Sequence, residues 1–321
     1  MQSAEKGSLL HFESSNSWSG LNNQKLVLLG LCLLAFQKKD KISLPKEVVD
    51  LSIKDMKSSS LIPFDDVFDS ASFTGFLERW NILDDGKERV LDTVLWRSCF
   101  SRGANSLKYL KESSKQSDFV RDFFVSLKFN NFIIRQVNEY LSLYGDFNEN
   151  ALALQLRIEL DWQQHIERKI KKGWGSEWHY HTFDEIFEKI KNHQFLKNKS
   201  RIFACCDISG LDIDIRDLRG FSRAKYGFDL VIRDKDSGFY FKESSIKNAA
   251  FDFMLCLSFD AYVGLSRSTF SNLLCVTKSI LSEKSFDHYV YDSGRSFVER
   301  RIDAGLEADP EKSTSLSFSI R

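Results

Sequence analysis

Proline is nearly absent from this chain: three residues in 321, beside 16 glycines. So few breakers exclude an extended or low-complexity polypeptide and predict long, uninterrupted helices. Net charge is absent too, with 45 Lys+Arg against 45 Asp+Glu. Attachment to nucleic acid or to an anionic membrane through bulk charge is therefore disfavoured, although a local basic pocket is not. The six cysteines (32, 99, 205, 206, 256 and 275) form no C-x-x-C pair and mostly lie in apolar runs. That pattern reads as reduced, buried thiols in a reducing compartment. Cys205 and Cys206 are adjacent, so on a strand they face opposite ways and do not chelate one metal together. No membrane-length apolar run exists. The longest, Leu26 to Phe36, is too short to span a bilayer. Gln37-Lys38-Lys39-Asp40-Lys41 follows it without a small-residue cleavage site. The run reads as a buried helix, and the expected location is cytoplasmic, peripheral to the inner membrane at most. G-x-S-x-G, H-E-x-x-H and Walker-type glycine loops are all missing, as are internal repeats.

What is present is ample core material. Hydrophobic residues make up 42%, with 28 phenylalanines, in a chain long enough that two domains are the default. Residues 1–17 read as a loose polar leader, and Ser19 to Gln24 as a turn opening the apolar helix. Lys41–Leu44 reads as a short strand stopped by Pro45, Leu61–Asp69 as an acidic loop, and residues 73–145 as helical. The polar stretch Asp146–Asn150 reads as a hinge dividing residues 1–148 from 149–321. Beyond it, apolar strands at Ala151–Leu156, Arg201–Cys206, Asp229–Arg233 and Ala261–Val263 alternate with helices at Asp161–Lys172, Phe183–Phe195 and Lys247–Phe259. Such alternation predicts an α/β fold with a parallel sheet and right-handed crossovers, binding ligands at the carboxyl ends of its strands.

Three segments at those ends carry chemistry. Gly264 breaks a strand, and the hydroxyl-rich turn Ser266–Ser271 opens an apolar helix. A helix start of this kind suits an anion, because its orphan N–H groups and dipole favour negative charge. An ordinary N-capped helix is the plainer alternative. Arg157 leaves a strand end with Asp161 four residues on, so a fixed guanidinium can meet phosphate oxygens; a surface Arg–Asp pair is the alternative. His179 and His181, near Glu177 and Asp184, lack a further matching ligand cluster and read as an aromatic lip rather than a metal site. Lys169, Lys171 and Lys172 read as a solvated helix end. Gly173-Trp174-Gly175 reads as a lid or simply a turn.

Taken in order, these motifs resemble those of the GDP-fucose-dependent fucosyltransferases, especially the protein O-fucosyltransferases and their bacterial and plant relatives. Gly20-Leu21-Asn22-Asn23-Gln24 is similar to the family's G-x-x-N-Q turn, and Lys41–Pro45 to the strand after it. Pro63-Phe64-Asp65 through Phe68-Asp69 resembles the Pro-Phe…Phe-Asp loop. Leu156-Arg157 with Asp161-Trp162 resembles the H-x-R…D-W segment. Asp252, Asp260, Gly264 and Ser268-Thr269-Phe270-Ser271 match the last block.

The resemblance implies two Rossmann-like domains facing across a cleft, the GT-B arrangement. It also implies metal-independent, inverting transfer of fucose from GDP-fucose to a hydroxyl of a glycan or protein, with no cofactor. On that reading Arg157 neutralises the departing β-phosphate, and Asp161 orients Arg157. The hydroxyls of Ser268 and Thr269 and the amides of Thr269 and Phe270 cover the phosphates. Asp252 holds the nucleoside, and Asn23 touches the acceptor or the fucose across the cleft. Gln155 stands where the family often has histidine; it can hydrogen-bond the donor but cannot shuttle a proton. Glu159 and Asp65 remain as general-base candidates. A nucleotide- or glycan-binding protein without catalysis, and a glycosyltransferase with another donor, are the alternatives.

Overall fold

The computed structural model describes residues 11–12, 20–51, 59–83, 90–91, 93–144, 150–173, 179–282 and 287–300. The N-terminal half is mostly helical. Its elements are β1 (His11–Phe12), α1 (Leu21–Lys38), β2 (Glu47–Leu51), β3 (Ser59–Pro63), α2 (Ser70–Arg79), β4 (Val90–Leu91), α3 (Thr93–Ser106), α4 (Lys115–Ser126) and α5 (Asn131–Tyr144). The apolar run forms α1 and is buried on almost every side, with Leu26, Val27, Leu29, Cys32 and Leu33 fully inside. α1 crosses α3 at two glycines: a Cβ on Gly30 would lie 1.8 Å from the Cys99 carbonyl oxygen, and one on Gly103 1.9 Å from that of Leu26. Only residues without a side chain allow that approach.

Two local expectations shift. Lys41–Leu44 makes only an isolated bridge, Ile42 with Leu83, and the strand lies beyond Pro45 as β2. Val48 and Val49 are buried there, and the Gln24 side chain both donates to the Val49 carbonyl (2.7 Å) and accepts from its amide (3.0 Å). Part of the expected acidic loop is strand β3, antiparallel to β2; a short 3-10 turn, Phe64–Asp66, then leads to α2, which Asp69 caps. Among the described residues of this half, parallel pairing is confined to β1 with β4 and the Ile42–Leu83 bridge. Among the described residues of this half no larger parallel sheet is present, and most of the buried apolar residues lie in helices.

The C-terminal half contains β5 (Ala151–Gln155), α6 (Leu160–Lys171), α7 (Phe183–Lys191), β6 (Arg201–Cys205), α8 (Ile215–Phe221), β7 (Asp229–Ile232), α9 (Ser245–Leu257), β8 (Ala261–Gly264), α10 (Thr269–Leu281), β9 (Asp287–Val290) and β10 (Glu299–Arg300). They form one six-stranded sheet of order β10-β9-β8-β5-β6-β7, parallel throughout except for β10. All five residues of β5 are buried, as expected of a strand covered on both faces. Successive residues alternate between the faces. Leu152 and Leu154 pack with Ile186, Phe187 and Leu218; Ala153 and Phe203 pack with Phe251, Phe253 and Leu273. The chain grows from β5 to β6 and β7, then returns to the other side with β8 and β9. That reversal opens a crevice at the carboxyl ends of β5 and β8, where doubly wound sheets bind ligands.

One apolar cluster runs from α1, α2, α4 and α5 into α9 and α10, across the expected boundary near residue 148; residues 145–149 of that hinge lie outside the described residues. Each fully buried large side chain at this seam contributes about 1.5–3 kcal/mol. A partly exposed ion pair such as Lys247–Asp66 (2.7 Å) adds about 0–1 kcal/mol, so apolar packing decides the docking. Buried Asp50 gives the seam direction, accepting from Ser245 Oγ and the Ile246 amide, each at 2.9 Å, at the start of α9.

Candidate active site

The carboxyl ends of the central strands converge on a cavity of about 210 Å³. β5 supplies Gln155 and, two residues on, Arg157. Cys205, Cys206 and Asp207 come from the end of β6, and Arg233 follows β7. Asn248 and Asp252 face in from α9, Phe270 from α10, and Gly20, Leu21 and Leu51 close the cavity from the N-terminal half. The volume is below the about 300–1,000 Å³ of typical small-molecule sites.

Arg157 is fixed from three sides. Its Nε lies 3.4 Å from Glu159 Oε2 and its guanidinium 3.5 Å from Asp161 Oδ2, over the Trp162 ring at 5.0 Å. Its backbone amide donates to the Tyr291 hydroxyl at 3.4 Å. Burial works against its charge, but Glu159 and then Asp161 outweigh burial, and its pKa rises above the ordinary arginine value. Glu159 is only 1% exposed and accepts from the Asp207 amide at 2.9 Å. Burial pushes its carboxyl up, opposed by Arg157 and by that amide. Glu159 lines the cavity as well as pairing with Arg157, and its Oε2 makes no hydrogen bond. Asp65 does not line the cavity; it lies in the 3-10 turn, where its carbonyl accepts from Asn130.

A second buried cation sits opposite. Arg233, 6% exposed, donates to Asp252 Oδ1 (2.8 Å), to Asn248 Oδ1 (2.6 Å) and to the carbonyls of Phe239 and Asn248, and packs 4.4 Å over Phe251. Burial raises the Asp252 pKa, and Arg233 opposes that rise. This pair escaped sequence reasoning, which took Arg233 as the last residue of a strand. The available signal was positional: like Arg157 and Asp207, Arg233 is polar and follows an apolar strand.

Gln155 is locked into the crevice wall. Its carbonyl oxygen accepts from Ser271 Oγ at 2.6 Å, and Ser271 also accepts from the Leu265 amide at 3.1 Å and meets the Tyr262 hydroxyl at 2.9 Å. Gly264 is required here, because a Cβ would lie 2.3 Å from Ser271 Oγ and 2.6 Å from the Tyr262 hydroxyl. Ser266 is likewise spent on structure, with its hydroxyl and amide both donating to Asp292 at 2.6 and 2.9 Å. The start of α10 is different: Ser268 at its N-cap makes no side-chain cap bond. Its first amides are left for another partner.

Of the residues singled out from sequence, Arg157, Gln155, Glu159, Asp161, Asp252 and Phe270 line this one cavity. Ser268 and Thr269 do not line it and sit immediately before Phe270 at the start of α10. Asn23 lies in the first turn of α1, beyond the lining residues Gly20 and Leu21. Residues 174–178, including most of the proposed lid and Trp178, lie outside the described residues.

The chain and its fold have counterparts among known proteins. The chain is 23% identical over 309 residues to O-fucosyltransferase 23 of Arabidopsis thaliana, covering 81% of this chain and 69% of that protein. Solved structures of POFUT1 with GDP and with GDP-fucose each superpose with a TM-score of 0.54 at 13% identity. They cover 89% of this chain and 98% and 97% of those chains, respectively. No family model matches the chain. The resemblance read from the motifs therefore stands: this is an O-fucosyltransferase-like protein with a mixed α/β fold around a central parallel sheet. No helix among the described residues is long and apolar enough to cross a membrane.

Proposed function

We propose that this protein is a fucosyltransferase that moves fucose from GDP-fucose to a hydroxyl of a glycan or protein, with inversion and without a metal ion on the diphosphate. The observation that carries this reading is Arg157. It is a guanidinium fixed at the carboxyl end of β5, in one cavity with Phe270 at the uncapped start of α10. In the reaction the acceptor oxygen attacks C1 of fucose, the C1–O bond to the β-phosphate breaks, and the electron pair leaves with the phosphate. Charge grows there as the bond breaks, so preorganised donors lower the barrier. Arg157 supplies a permanent charge, and the amides at the start of α10, with the hydroxyls of Ser268 and Thr269, supply the rest. The cavity receives part of the nucleotide sugar, and the remainder lies over its mouth.

Asp252, held by Arg233, is assigned to the nucleoside, where a carboxylate accepts from ribose or guanine donors. Gln155, its oxygen bonded to Ser271, offers its NH₂ to the donor. Asn23 is assigned to the acceptor side. No side chain is assigned as general base; the acceptor proton passes late to a phosphate oxygen or to water. The division at residue 148 into two units of the GT-B kind is assigned on the cavity's lining alone, which draws on both halves of the chain; one apolar cluster joins those halves.

A panel of nucleotides read by thermal shift tests the donor: GDP and GDP-fucose should raise Tm, and UDP and UDP-sugars should not. Equal shifts with UDP forms would overturn the donor assignment. GDP-fucose hydrolysis, followed by GDP release, tests catalysis without knowledge of the acceptor. A GDP shift with no turnover of GDP-fucose in any acceptor mixture would favour a binding protein instead.

A further inference from the structure

A second cluster, apart from the lining of the cavity, has the form of a metal site. His179, His181 and Glu185 each present one ligand atom, all within 4.8 Å of one another. His179 Nε2 lies 3.5 Å from Glu185 Oε1, and His181 Nδ1 lies 3.7 Å from Glu185 Oε2. In a tetrahedral site with bonds near 2.0–2.1 Å, ligand atoms stand about 3.4 Å apart. Each histidine stands near that spacing from a different oxygen of the one Glu185 carboxylate, and a small rotation of exposed His179 brings all three groups onto one ion.

The independent observation is His181 itself. It is 7% exposed, and its Nδ1 is fully buried with no hydrogen-bond partner. A buried nitrogen that has lost water and found no partner destabilises the fold unless something occupies it. Glu185 is preorganised: it closes a capping box at the start of α7, where Oε2 accepts from the Thr182 amide at 2.9 Å. Such a supporting bond is what a ligating carboxylate usually has. The nearby Lys189 ammonium is turned aside, donating to the carbonyls of Tyr291 (2.7 Å) and Ser293 (3.0 Å). Asp184 is committed to Lys225 and Tyr226, and Glu177 lies outside the described residues.

The geometry points to a site for a single first-row divalent ion, zinc above all, held by two imidazoles and one carboxylate. Two nitrogens and one oxygen suit zinc, cobalt or nickel better than magnesium or calcium. Between the two histidines, Tyr180 donates its hydroxyl to the Ile158 carbonyl at 2.9 Å, next to Arg157. An ion here clamps residues 179–185 against the segment that carries the guanidinium. The site takes no part in the transfer chemistry proposed above, and its test does not depend on that reading.

Zinc is titrated into the full chain by calorimetry, and cobalt is titrated with detection of its visible absorption band. His179→Ala removes an exposed ligand, and Glu185→Gln keeps an acceptor for the Thr182 amide. The wild type should bind one ion and gain Tm with zinc. Each variant should lose at least the about 10–100-fold in affinity that removal of even a supporting partner costs, and should lose the zinc-dependent Tm gain. Absence of one-to-one binding in the wild type, or wild-type affinity in both variants, overturns the proposal. The thermal shift with GDP, measured on the same variants, keeps this outcome separate from failure of the donor site.

Discussion

Replacing Arg157 by alanine separates two roles that one side chain combines. Arg157 is the charge partner of Glu159, which is 1% exposed. Removing one partner of a buried ion pair leaves an uncompensated charge and costs about 3–5 kcal/mol. Here the upper end is not reached, because the Asp207 amide still donates to Glu159. A loss of about 3 kcal/mol is therefore expected at neutral pH. Burial already raises the Glu159 carboxyl pKa, and loss of Arg157 raises it further. A carboxyl raised in the folded state contributes stability that is complete below its unfolded pKa and is lost as pH rises through the folded one. Arg157→Ala should therefore recover stability on acidification, over a wider pH window than the wild type. In catalysis, loss of one preorganised donor to the leaving group should lower turnover about 10²–10³-fold. The double variant Arg157→Ala, Glu159→Gln removes the orphaned charge while keeping an acceptor for the Asp207 amide. It should regain most of the stability and none of the turnover. Urea midpoints at several pH values and GDP release from GDP-fucose read the two effects. Turnover by Arg157→Ala within about threefold of wild type, or recovery of turnover in the double variant, would refute the electrostatic argument.

Two further substitutions test the frame. Lys25 is 3% exposed, with its Nζ 3.9 Å over the Phe253 ring, and burial draws its pKa from 10.5 down to about 7. A depression of 10.5 − 7 = 3.5 corresponds to a cost of no more than about 5 kcal/mol, at 1.36 kcal/mol per unit. That cost is absent above pH 10.5 and complete below about 7, so wild-type stability should rise with pH across this window. Lys25→Met should be more stable at neutral pH and show a flatter pH dependence in denaturant midpoints; an undiminished slope would count against a buried neutral lysine. Gly264→Ala should destabilise by about 1–3 kcal/mol, because its Cβ meets Ser271 Oγ and the Tyr262 hydroxyl. It should also weaken GDP binding by moving Gln155; unchanged calorimetric affinity would show that the Gln155–Ser271–Tyr262 network does not shape the crevice.

The four strands Ala151–Leu156, Arg201–Cys206, Asp229–Arg233 and Ala261–Val263 were legible within a residue or two because each is a short apolar run covered on both faces. The apolar run Leu26–Phe36 inside α1, the turn before α10 and the strand-end position of Arg157 were legible because periodicity and end signals are properties of neighbouring residues; α1 itself begins at Leu21, within the stretch expected as a turn. Pairing across the chain is not. Sequence spacing pairs Arg157 with Asp161, and only the fold adds Glu159 at a similar distance and makes it the dry partner. Arg233 meets Asp252 because β7 and α9 bring together residues 19 apart, and Gln155 meets Ser271 across 116 residues. Glu185, not Asp184, faces the two histidines because the capping box of α7 turns it toward them. The chain's local pattern thus determined which segments would be strands and helices and which polar groups stand at their ends. The packing of those segments decided which of the groups lost water together, and it is loss of water that makes one charge or hydroxyl a functional partner of another.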